Sequence, residues 1–165
     1  MRVLLLHGLE GSPQGAKARA LREHFELCCP ALPTGDFAAC EVVAQDALRN
    51  FHPEVLVGSS FGGALALRLI ELGAWQGPTL LLAPASRYFL PAPVSLPAGV
   101  PVLILHGRKD AVVPMQDSRD LAERHDGVRL LELDDEHRLS TLTEGGRLAG
   151  YVREVRELLS TTSIA

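Results

Sequence analysis

Ser60 lies at the centre of Gly58-Ser59-Ser60-Phe61-Gly62, with glycine two residues away on either side. The apolar run Val55-Leu56-Val57 precedes the motif, and Ala64 to Ile70, a strong helix former, follows it. The stretch therefore reads as a strand that turns sharply into a helix. Such a turn pushes its central side chain out of the strand and clear of the helix, onto the carboxyl edge of a sheet. Glycine suits both flanks because a side chain there would crowd the turn. A hydroxyl so exposed is fit for covalent acyl transfer, once a base takes its proton. Two plainer readings share the pattern. The serine could simply cap the helix, or Ser59 could be the reactive hydroxyl, although only Ser60 has both glycines.

A nucleophilic serine needs a base, and the base needs a group to orient it. The chain has six histidines. His24, His52 and His125 fall within or at the ends of expected helices, and His7 and His106 each end an apolar run before a glycine. His137 alone follows the last apolar run, in the polar loop Asp134-Asp135-Glu136-His137-Arg138, and is expected as the general base. Asp110, four residues past His106, is expected to fix the tautomer of His137 and stabilise its imidazolium. Asp134, Asp135 and Glu136 remain alternatives, though too local to His137 to orient it easily. The plain reading of Asp110 is a turn aspartate, and that of His137 a surface histidine. The developing oxyanion needs two fixed donors. The N–H groups of Phe61, opening the helix after the nucleophile, and of Leu9, in His7-Gly8-Leu9-Glu10-Gly11-Ser12, are expected to supply them. His7 itself is expected to brace that loop through hydrogen bonds.

These residues must be carried by elements that meet at one edge. Strands are expected over 2–6, 27–32, 55–59, 79–83, 102–106 and 128–133, and helices over 15–25, 37–51, 61–73, 115–125 and 142–159. The strands are continuous Val/Leu/Ile runs rather than alternating ones, the mark of a sheet buried on both faces. The expected fold is α/β: a doubly wound, mainly parallel six-stranded sheet with helices on both faces. Residues 1–165 read as a single domain. The segment from Pro84 to Pro101 breaks the rhythm with five prolines, which rules out a long helix there. Its Tyr88, Phe89 and Leu90 are expected to wall a substrate pocket.

Bulk composition narrows the function classes. Hydrophobic residues make up 47% and charged residues 22% of 165, the balance of an ordinary globular chain. A net charge of −4 without a lysine/arginine cluster argues against nucleic acid as a partner. The run Arg2-Val3-Leu4-Leu5-Leu6 stops at His7-Gly8, too short for a leader or a membrane span, so a cytoplasmic location without membrane association is expected. Cys28, Cys29 and Cys40 form a poor disulfide framework, with an odd count and an adjacent pair, and lack metal-ligand spacing. They read as small buried residues of a reducing compartment.

Four motifs in order, His7-Gly8-Leu9, Gly58-Ser59-Ser60-Phe61-Gly62, His106-Gly107-Arg108-Lys109-Asp110-Ala111-Val112-Val113-Pro114 and Asp135-Glu136-His137, make the chain resemble the α/β-hydrolase superfamily over nearly its whole length. The opening from His7 to Pro13, with Ala16-Lys17, is similar to that of small bacterial esterases. The resemblance implies Ser60, Asp110 and His137 as a triad, Phe61 and Leu9 as oxyanion donors, and hydrolysis of carboxylic esters or thioesters without metal or organic cofactor. It also implies a reduced fold, lacking the first antiparallel strands and a full helical lid, which favours small, accessible substrates. Two other functions fit the same residues: a silent hydrolase-fold module that binds a ligand or protein, and a peptidase or amidase.

Overall fold

The structure, a computed structural model, describes residues 1–162. Six strands form its sheet: β1 (Arg2–Leu6), β2 (Glu26–Cys28), β3 (Val55–Ser59), β4 (Thr79–Leu82), β5 (Val102–Gly107) and β6 (Val128–Leu133). All are parallel, in the order β2-β1-β3-β4-β5-β6. The chain winds outward from β1 to β2, returns to β3 and proceeds the other way. The reversal brings the carboxyl ends of β1 and β3 together, with Leu6 opposite Gly58. Open sheets bind their ligands at such a reversal.

The continuous apolar strands follow from burial on both sides. Leu4, Leu6, Leu56, Leu81 and Ile104 point to one face, against α2 (Phe37–Phe51), α3 (Phe61–Glu71) and α5 (Met115–Arg124). Val3, Leu5, Val57, Leu80, Leu82, Leu103 and Leu105 point to the other, against α1 (Ala16–Arg22) and α7 (Arg147–Thr162). Two one-turn helices, α4 (Ser86–Phe89) and α6 (Ser140–Thr143), lie in the loops after β4 and β6. Among the described residues no helix is long and apolar enough to cross a membrane.

Several element ends shift by one to three residues from the sequence reading, and the larger differences have local reasons. Strand β2 stops at Cys28 because Pro30 and Pro33 bring no N–H to a ladder. Helix α7 starts at Arg147, not Leu142, because Gly145 and Gly146 take φ of 69° and 71°, a conformation foreign to a helix. The proline-rich segment holds one helical turn, α4, between its prolines. The three cysteines are free thiols.

Candidate active site

Ser60 sits where β3 gives way to α3, with φ 53° and ψ −110°. A non-glycine residue rarely adopts that conformation, which stores on the order of 1–3 kcal/mol of strain. The surroundings hold it there. Ser60 N–H donates to the Leu82 carbonyl, and its own carbonyl accepts from Gly63, Ala64 and Ala85 N–H. The glycines permit the close approach. A Cβ on Gly62 would lie 2.0 Å from the Leu6 carbonyl oxygen, and one on Gly58 2.5 Å from that of Gly62. Helix α3 is thus pressed end-on against the end of β1.

His137 reaches Ser60 from the loop after β6. Its Nε2 is 3.0 Å from Ser60 Oγ, and its Nδ1 is 2.7 Å from Asp110 Oδ2. The carboxylate accepts the Nδ1–H, which leaves Nε2 unprotonated and able to accept from the serine hydroxyl. The loop is fastened at several points. Arg108 and Lys109 N–H donate to the Leu133 and Asp135 carbonyls. Asp135 accepts from Glu136 N–H and from the N–H and hydroxyl of Thr141. Burial works against the charge on Asp135, yet these hydrogen bonds hold its carboxyl below the ordinary aspartate value. Leu139 is fully buried and anchors the chain beyond. Lys17 Nζ donates to the Arg138 carbonyl at 2.7 Å, tying α1 to the residue after His137.

Asp110 is itself enclosed. Its side chain has no exposed surface. Oδ1 accepts the N–H groups of Val112 and Val113, both at 2.8 Å. Oδ2, which accepts from His137, also lies beside a second histidine, the fully buried His106, whose Nε2 is 3.2 Å away. That same Nε2 is 3.0 Å from the Val113 carbonyl, so it must carry the proton. Nδ1 of His106 then accepts from the hydroxyl of buried Ser118 at 2.7 Å. In the sequence His106 reads as the end of a strand. A histidine four residues before an aspartate was its only trace there.

The loop after β1 lies against the serine. A Cβ on Gly8 would lie 3.6 Å from Ser60 Cβ. His7 braces the loop, as its sequence position suggested: Leu32 N–H donates to Nε2, so Nδ1–H donates to the Gly8 carbonyl. Leu9 stands at the rim with its side chain half exposed. Phe61 opens α3, so its N–H has no acceptor within the helix. A cleft of about 850 Å³ extends from Ser60 and His137, walled by Gly8 to Ser12, Lys17, Ala111, Val112 and Arg138. A depression walled by Leu48, His52, Pro53 and Trp75 lies at the opposite edge of the sheet, away from these groups.

The expectation that Tyr88, Phe89 and Leu90 wall the pocket is corrected. None of the three lines the cleft at Ser60. The ring of Phe89 stacks on Phe37 at 5.9 Å and meets Phe61 edge-on at 4.9 Å, and Leu90 is buried. Hydrophobic burial draws both into the layer over α2 and α3. Tyr88 is exposed, and its hydroxyl donates to the Val112 carbonyl at the far side of the cleft wall. Among the described residues no cluster of three or more His, Cys, Asp or Glu could hold a metal ion.

A parallel sheet with one winding reversal, and a serine on a strained strand-to-helix turn facing a histidine and a buried aspartate in that chain order, define a class of fold. No family model matches the chain, and no curated protein matches it in sequence. Solved structures do. A protein of Xanthomonas campestris pv. campestris, described as a candidate hydrolase of the α/β superfamily, is 25% identical, with 97% of each chain covered and a TM-score of 0.70. Mouse alpha/beta hydrolase domain-containing protein 10 is 18% identical, over 98% of this chain and 90% of its own, with a TM-score of 0.75. Est1E from Butyrivibrio proteoclasticus is 15% identical, over 93% and 87%, with a TM-score of 0.69. The chain belongs to the α/β-hydrolase superfamily.

Proposed function

We propose that the chain is a serine hydrolase that cleaves small carboxylic esters or thioesters through an acyl-enzyme on Ser60. The observation that carries this reading is the continuous line from Ser60 Oγ through His137 to Asp110 Oδ2, with links of 3.0 and 2.7 Å. In the first half-reaction Ser60 Oγ bonds to the substrate carbonyl carbon while its proton passes to His137 Nε2. Asp110 stabilises the imidazolium that forms. The N–H groups of Phe61 and Leu9 are the donors assigned to the oxyanion, each worth roughly 100- to 1000-fold in rate. The carbon–oxygen or carbon–sulfur bond to the leaving group then breaks, and His137 returns the proton to the departing alcohol or thiol. In the second half, water gives a proton to His137 as its oxygen attacks the acyl carbon. The bond to Ser60 breaks, the proton returns to Oγ and the acid is released.

The strained backbone at Ser60 and the cleft opening onto it support the same reading. Its test is covalent. A fluorophosphonate probe should phosphonylate Ser60, found by peptide mass spectrometry, and Ser60→Ala should abolish the label. A folded protein that takes no label, or takes it elsewhere, would overturn the proposal. Ester, thioester and amide substrates of one acyl chain then order the leaving groups, and only the first two are expected to turn over well.

A further inference from the structure

The cleft walls set charged side chains among apolar ones, and those charges are unequally matched. Lys109 Nζ meets Asp134 at 2.8 Å, and Arg138 meets Glu10 at 3.5 Å. Among the described residues Lys17 has no such ion pair. Its Nζ donates to the Arg138 carbonyl, a neutral acceptor, which leaves two ammonium protons over. Burial pushes its pKa below the ordinary lysine value. The field of Asp135 opposes that shift, and Arg138 adds to it. Asp135 cannot move to meet the ammonium without releasing Thr141 and Glu136 N–H. A half-buried cation without a counter-ion is costly, and an anion arriving beside it is favoured.

We infer that the substrate of this cleft carries a carboxylate, and that Lys17 Nζ receives it while Ser60 acts on the ester. The inference rests on the hydrolytic reading above and narrows it to esters with a negatively charged acyl or leaving portion. Lys17 is then the specificity-determining residue. The carboxylate completes the ammonium's hydrogen bonds, and the Arg138 carbonyl holds Nζ in place for it. Charge-assisted hydrogen bonds of this type discriminate by about 10- to 100-fold.

Two matched comparisons test it. Mono-4-nitrophenyl succinate against 4-nitrophenyl butyrate puts the charge on the acyl side. The 3-carboxy-4-nitrophenyl ester of butyrate against the plain 4-nitrophenyl ester puts it on the leaving group. Spontaneous hydrolysis is subtracted, and the readout is the charged-to-neutral ratio of kcat/KM. Lys17→Gln keeps a donor for the Arg138 carbonyl but removes the charge. It should lower the ratio at least tenfold in one arm, chiefly through KM, whereas Lys17→Arg should retain it. Salt gives a measurement that needs no variant: in the wild-type protein, half-molar sodium chloride should lower the ratio in that arm several-fold by screening. A ratio unmoved by Lys17→Gln in both arms, with neutral esters still cleaved, would overturn the inference and leave the esterase reading standing. So would a wild-type ratio indifferent to salt. Turnover of none of the esters would overturn both.

Discussion

His106 Nε2 lies 3.2 Å from Asp110 Oδ2, the oxygen that accepts from His137. The contact is built from a strand and the turn that follows it, without exposed surface on either side chain. His106 therefore acts on His137 through Asp110. His106→Phe fills the space but leaves the Val113 carbonyl without its donor and takes a polar ring N–H away from beside a buried carboxylate. A buried acceptor left without its donor costs about 1–3 kcal/mol, and here it loosens the turn that holds Asp110, so kcat/KM should fall several-fold in folded protein. Ser118→Ala leaves His106 Nδ1 without its donor and should cost roughly 1–3 kcal/mol in urea unfolding, with a smaller effect on rate. Unchanged kcat/KM in His106→Phe would mean that the amides of Val112 and Val113 suffice to hold Asp110.

Those two amides decide what Asp110→Asn does. Both donate to Oδ1, so the asparagine carbonyl must stay there and its NH2 must take the place of Oδ2. The NH2 then faces His137 Nδ1, which has to become an acceptor. The proton moves to Nε2, the nitrogen that should receive the serine proton, and kcat should fall by about four orders of magnitude. The same NH2 faces the N–H of His106, so a stability loss on the order of 1–3 kcal/mol should accompany it. Circular dichroism checks that the fold survives. A rate within tenfold of wild type would place the orienting acid elsewhere.

The strands were legible because a sheet covered on both faces demands apolar residues at every position, which leaves little competing pattern. Ser60, Asp110 and His137 were legible because each follows a strand at one edge, where topology alone brings them near. What was missed depends on side-chain direction. His106 reads as the last residue of a strand, and nothing in the chain shows that its ring turns toward Ser118, twelve residues on. Lys17 reads as one more charge on a helix, and only the fold brings it to the Arg138 carbonyl, 121 residues away. Phe89 misled in the opposite sense. An aromatic in a proline-rich loop at the correct edge suggested a pocket wall, but Phe37 and Phe61 offered more apolar contact on the other side of α3.

Burial of the Cys29 thiol pushes its pKa up to about 11, with the field of Arg22 opposing and that of Cys28 adding. The folded state then holds the Cys29 proton in a range where the unfolded chain has lost it. Stability contributed this way is complete below the unfolded thiol value and is lost as pH rises through the folded one. Unfolding midpoints should therefore fall between about pH 9 and 11, less steeply in Cys29→Ala than in the parent. Alkylation offers a second check, since the thiolate is the reactive form. At pH 8 Cys29 should react with iodoacetamide far more slowly than a free cysteine, and fast labelling in folded protein would contradict the burial that raises the pKa.

Gly62 and Gly150 pose opposite packing problems, and the contrast tests whether α3 is truly pressed against β1. A Cβ on Gly62 would lie 2.0 Å from the Leu6 carbonyl oxygen and 2.7 Å from that of His7. Both are backbone atoms next to the loop that carries Leu9, so neither can yield without moving it. Gly62→Ala should destabilise by at least about 1–3 kcal/mol. The protein that still folds should lose esterase activity, because relief of the clash separates the N–H groups of Phe61 and Leu9. Gly150 is exposed on α7 with nothing within 4 Å of the Cβ it lacks. Alanine there adds helix propensity and should stabilise by about 0.5–1 kcal/mol without altering kcat. Thermal melts and kcat/KM on one ester measure both variants. If Gly62→Ala were as stable and as active as Gly150→Ala, the helix could not be seated on the end of β1, and the assignment of Phe61 and Leu9 to one oxyanion would fall with it.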